Sequence, residues 1–150
     1  MARRRAREIA FQALFQAERG ASPVLDAWRE LRAELAEEVD EDGYGEPLER
    51  EDLEFAERLV RAFAERKAAI DAELVEVVKG WTFGQMAQTD LNVLRLALAE
   101  FDLGETPPVV AVEMAVRLAK RFGGEGSGRF VNGVLAKAMR RRPLAVEGAA

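Results

Sequence analysis

The sequence predicts an all-α fold, a compact bundle of about seven helices. Two observations predict it. Apolar residues recur at helical spacing along nearly the whole chain, and no segment sustains a period-two alternation. Glycine and proline punctuate those runs, at Gly20, Pro23, Gly80 and the pair Pro107 and Pro108. With 150 residues the chain can bury a real core in one domain. That domain is expected over residues 1–142, with a disordered tail at 143–150.

The first helix is predicted from about Arg3 to Ala17. Ile9, Ala10, Ala13, Leu14 and Ala17 share its inner face, Phe11 sits on the edge, and Phe15 lies further round towards Gln12 and Arg5. A second helix, roughly Val24 to Val39, uses Leu25, Trp28, Leu31 and Leu35. The stretch 37–47 is acidic, contains glycine and lacks periodicity, so it reads as a loop. A third helix from about Glu49 carries Leu53, Ala56, Leu59, Val60 and Phe63. A fourth, near 68–78, carries Ile70, Leu74, Val77 and Val78. The fifth, from about Thr89, aligns Leu91, Leu94, Leu98 and Phe101. Thr106 and Pro107 open the sixth as N-cap and first helical residue. The seventh runs from Ser127, read as its N-cap, to about Arg140, with Gly133 marking a close approach of another helix.

Composition narrows the function. Cysteine is absent, which excludes disulfides and thiolate metal sites, and histidine is absent, which removes Ser-His-Asp triads and the commonest metal ligand. No paired-carboxylate motif stands out, so neither enzyme chemistry nor a cofactor is expected. No apolar run reaches the roughly 18 residues of a membrane span, and the basic N-terminus lacks the apolar core of a secretory signal. A cytoplasmic protein is expected.

The net charge of −5 hides polarity. Residues 1–7 carry four arginines and no acid, and residues 117–142 carry eight Lys/Arg against Glu125 alone. Residues 26–76 carry eighteen acids against seven bases. A chain polarised in this way can show a basic face to RNA while staying soluble; the alternative is that each charge solvates a helix face.

Two basic clusters carry the functional reading. Arg3, Arg4, Arg5 and Arg7 sit where a helix starts, a position that opposes the helix dipole and so has no benefit for the helix itself. Arginine suits phosphate and stacks on bases. Phe15, nearby, is a candidate stacking platform. The second cluster is KRFGGEGSGRF, 120–130, where Lys120, Ser127, Arg129 and Phe130 flank a glycine-rich turn into a helix. The spacing is not that of a P-loop. Asp90, Arg95 and Glu100 read either as a protein-binding face or as a solvated one. The C-terminal KAMRRR either extends a basic surface or complements the last helix dipole.

Three strings are specific when taken together: RRRAREIAFQALFQ (3–16), WTFGQMAQTDLNVLRLALAEF (81–101) and TPPVVAVEMAVRLAKRFGGEGSGRFVNGVL (106–135). In colinear order they resemble the NusB family of bacterial transcription antitermination factors. The resemblance implies two packed three-helix halves and a non-enzymatic RNA-binding factor. It implies binding of single-stranded boxA RNA in ribosomal RNA leaders together with NusE, a small-subunit ribosomal protein, and indirect action with other Nus factors on RNA polymerase. By motif, RNA contacts would fall on Arg3, Arg4, Arg5, Arg7, Phe15, Lys120, Ser127 and Phe130, and Asp90 and its helix would face NusE. The chain departs from the family at Phe15, where tyrosine is common, and at Gly126, where an acid is common. Alternatives are a helical protein-interaction module and a domain related to those attached to ribosomal-RNA methyltransferases.

Overall fold

A computed structural model describes residues 3–42, 48–80 and 82–142, so the tail at 143–150 lies outside the described residues. Among the described residues six helices follow one another: α1 (Arg4–Gly20), α2 (Val24–Asp42), α3 (Arg50–Val77), α4 (Gln88–Leu103), α5 (Pro108–Gly123) and α6 (Glu125–Arg141). The helices α1, α2 and α3 pack on one another, as do α4, α5 and α6, which gives the two three-helix halves. They join along α4, which touches α1 and α3 as well as its own partners.

The third and fourth predicted helices run on as α3, with a kink at Arg66 between them where the break was predicted. Phe63, Ile70 and Val77 recur every seven residues, and all three are buried. Only Arg66 leaves helical geometry, at φ −117° and ψ 18°, and marks a kink at the polar stretch that reads as a break. The start of α3 is fixed by a capping box, in which the Glu49 backbone N–H donates to the Asp52 carboxylate at 3.2 Å. The predicted loop at 37–47 is also corrected: helix α2 continues to Asp42, and residues 43–47 lie outside the described residues. Glutamate is a good helix former, so the apolar periodicity ends before the helix does.

Helix α4 is the spine of the molecule. Every residue from Asp90 to Phe101 is buried, not only the predicted leucine stripe. A helix enclosed on all sides must neutralise its polar residues inside the protein. Arg95 does so with Asp71 of α3, at 2.9 and 3.1 Å, and with Glu18 of α1 at 3.0 Å. Burial works against the Arg95 charge, yet these hydrogen bonds and charges raise its pKa overall. Asn92 donates to the Gln88 carbonyl. Arg95 is 5% exposed and spends its guanidinium clamping three helices, which corrects its reading as a partner-binding residue; Asp90 is 9% exposed and its Oδ1 has no hydrogen-bond partner among the described residues.

The α5–α6 corner is a single residue. Gly124 links the helices at φ +90° and ψ −178°, a conformation essentially restricted to glycine. Helix α6 thus begins at Glu125, and Ser127 is not its cap: its hydroxyl donates back to the Gly123 carbonyl at 3.2 Å. Nor is Gly133 the point of close approach, since its free face meets nothing within 4 Å. Gly128 is that point. A Cβ there would come within 2.5 Å of Lys120 Cγ, so the lysine stem lies flat across α6. Among the described residues, no helix is long and apolar enough to cross a membrane.

Candidate nucleic-acid interface

The four N-terminal arginines divide into two pairs. Arg7 is 5% exposed and makes a bidentate ion pair with buried Glu100, at 2.9 and 2.6 Å. Arg3 turns the same way, over the Phe55 ring at 4.3 Å and towards Glu105 at 3.6 Å. Glu105 also takes a bidentate pair from Arg58, at 2.7 and 2.9 Å, which with the Arg3 charge lowers its pKa below the ordinary 4.5. The RNA role expected of Arg7 is thus corrected, whereas Arg3 remains exposed. Arg7 neutralises a core carboxylate, and Arg3 closes the start of α1 as its N-cap residue, at φ 73°. Helical spacing puts Arg3 and Arg7 one turn apart, above buried Leu14.

Arg5 lies on the opposite side of α1 from Arg7, with Arg4 between them, and both Arg4 and Arg5 are exposed. Arg4 and Arg121 converge on Glu8, at 3.9 and 2.7 Å, so the start of α1 and the end of α5 are held together. Phe11 seals the junction by stacking on Phe122 at 5.2 Å between ring centroids. Phe15 is half-buried, 5.8 Å from Phe11.

These side chains line an open groove of about 570 Å³. Arg5, Gln12, Phe15 and Gln16 form its α1 wall, and Leu31, Glu34 and Leu35 its α2 wall. Phe122 and Thr89 close it at the ends of α5 and α4. Phe122 is 41% exposed, unusual for a large apolar ring. Sequence reasoning passed over it. Its partner Phe11 is distant in the chain, and only the placement of Phe122 next to Lys120 and Arg121 hinted at a role.

The glycine-rich corner abuts the groove, since a Cβ on Gly123 would touch Thr89 and Ser127. Lys120 and Arg129 are exposed beside it. Phe130 is half-buried and packs against the core, and it is not part of the groove wall. The two basic clusters therefore meet, though through Arg4, Arg5 and Arg121 rather than through Arg3 and Arg7. Arranged in this way, cations beside partly exposed rings can hold a phosphate chain and stack its bases. No group of three or more metal-ligating side chains occurs among the described residues.

Comparison with known proteins agrees with this architecture. The NusB family model matches residues 4–140. The transcription antitermination protein NusB of Thermus thermophilus is 47% identical over 139 residues, covering 93% of this chain and 91% of the relative. That of Deinococcus deserti is 48% identical over 134 residues, covering 89% and 78%. Among solved structures, Thermotoga maritima NusB superposes with a TM-score of 0.73 at 32% identity, covering 91% of this chain and 89% of that one. A crystal structure of the antitermination factors NusB and NusE in complex with double-stranded RNA superposes at 0.76 with 25% identity, covering 95% and 100%. On its sequence, its helices and its order of motifs, the chain belongs to the NusB family of transcription antitermination factors, which are not enzymes.

Proposed function

We propose that this antitermination factor binds single-stranded boxA RNA of ribosomal RNA leaders in the groove between α1, α2 and the end of α5. The observation that carries the reading is the meeting of Arg5, Phe15 and Phe122 around one open cleft. Phe15 and Phe122 stack bases, and their lack of a hydroxyl leaves stacking intact. Arg4, Arg5, Lys120 and Arg129 neutralise phosphates, with Ser127 and the exposed edge of Phe130 at the corner's rim. NusE joins on the protein and completes the RNA surface; the crystallised complex of NusB and NusE with double-stranded RNA supports NusE and RNA as partners. Other Nus factors and RNA polymerase are reached through that assembly, in the cytoplasm.

Fluorescence anisotropy with boxA RNA and a scrambled RNA, with and without NusE, tests this across a salt series. The expected result is weak binding alone and tighter binding with NusE, falling steeply with salt as counterions are released. Equal affinity for the scrambled RNA in the presence of NusE would contradict it.

A further inference from the structure

The carboxylates of this acidic chain partner most of its arginines. Arg58, Arg66, Arg95, Arg121 and Arg142, among others, are each held by acids. Against that background, a cation without an acid is informative. Lys79, Lys137, Arg140 and Arg141 make no ion pair among the described residues, and all four are exposed. They line a second groove, of about 400 Å³, between the end of α3 and the end of α6, with Glu76 and Val77 completing its wall. Arg142, next in sequence, is different: it is bound to Glu73 and Asp102 and ties the end of α6 to α3 and α4. One member of the KAMRRR run thus anchors the helix and leaves the others free.

This second groove is linked to the first site by α6. Arg129, at the glycine-rich corner, and Arg140 are eleven residues apart, so at about 100° per residue they share one helix stripe. At 1.5 Å per residue they are separated by about 16 Å. Between them the stripe passes over Gly133, whose free face is open. It is therefore a smooth track with cations at both ends. Among the described residues no aromatic side chain lines the second groove. Its chemistry is that of a sequence-independent phosphate contact.

We infer that the Lys79, Lys137, Arg140 and Arg141 groove is a second RNA-binding surface, which takes the phosphate backbone of single-stranded RNA flanking the boxA segment. This rests on the RNA reading above and extends it. The long footprint would keep the factor on nascent RNA while boxA itself is read elsewhere.

The test compares a short boxA RNA with two longer RNAs, each carrying a uridine tail at one end, by anisotropy across a salt series with NusE present. Wild-type protein is expected to bind one of the tailed RNAs about tenfold more tightly than the short one. The combined variant Lys79→Ala, Lys137→Ala, Arg140→Ala, Arg141→Ala should bind the short RNA normally and lose the gain from the tail. Its salt slope on the tailed RNA should fall by about 0.7 for each phosphate contact removed. A thermal melt checks its folding, and the wild-type tail effect needs no variant at all. If wild-type protein binds the short RNA but neither tail adds affinity, the second groove is overturned and the boxA site stands. A tail gain that survives the four alanines in a folded variant also overturns it. If wild-type protein binds none of the RNAs, the RNA reading fails and takes the second groove with it.

Discussion

Replacing Arg7 by alanine is expected to destabilise the fold by about 3–5 kcal/mol. The substitution strands Glu100 in the core, where its carboxylate is 3% exposed and takes both bonds from Arg7. A buried charge without its partner carries its full desolvation cost. In a chain of this size each kcal/mol moves the melting point by about 2–4 °C, so a fall on the order of 10 °C is expected by thermal unfolding. The double variant Arg7→Met, Glu100→Met should recover much of that loss, because an apolar pair of similar volume removes the stranded charge. Below its melting point, the Arg7→Ala protein should bind boxA RNA as wild type does, whereas Arg5→Ala should bind less tightly. An Arg7→Ala protein that melts normally and loses RNA would refute this division of the arginine cluster.

The second large effect is on RNA affinity. Base stacking on an aromatic side chain is worth about 1–3 kcal/mol per base. Phe122→Ala should therefore weaken boxA RNA binding, with NusE present, by about 5- to 150-fold. Because the ring also stacks on Phe11 at the junction of α1 and α5, some loss of stability is expected too, so affinity is compared well below the variant's melting point. Phe15→Ala should weaken binding similarly, with some loss of stability because that ring also packs against the core. Phe122→Tyr should bind near normally, since it keeps the ring. Unchanged affinity in Phe122→Ala, measured by titration, would remove this ring from the RNA surface.

The sequence carried the architecture better than the site. Helices are local, so the periodicity of α1, α4, α5 and α6 was enough to find them. The polar stretch in α3 marks a real kink at Arg66, while the seven-residue spacing of Phe63, Ile70 and Val77 carries the buried face across it. The arginine cluster shows a gap between composition and geometry. Four arginines in five positions look alike as a string, yet 100° per residue turns Arg3 and Arg7 towards Leu14 and turns Arg5 towards Gln12. That signal was legible. The burial of Asp90, Arg95 and Glu100 was not. It depends on α4 being enclosed by helices from both halves of the molecule, and on acids such as Asp71 and Glu18 that are remote in sequence. Phe122 was hidden for a related reason. A ring at the end of α5 becomes part of a cleft only because α1 packs beside it, a contact between residues 111 positions apart.

Ultraviolet crosslinking of boxA RNA to the NusE-bound protein, with the attached peptides identified by mass spectrometry, tests the central claim most directly. One RNA strand should attach to Phe15 of α1 and to Phe122 of α5, the two rings that border the same cleft. Crosslinks confined to the Arg3 and Glu105 side of the molecule, with neither ring modified, would contradict it.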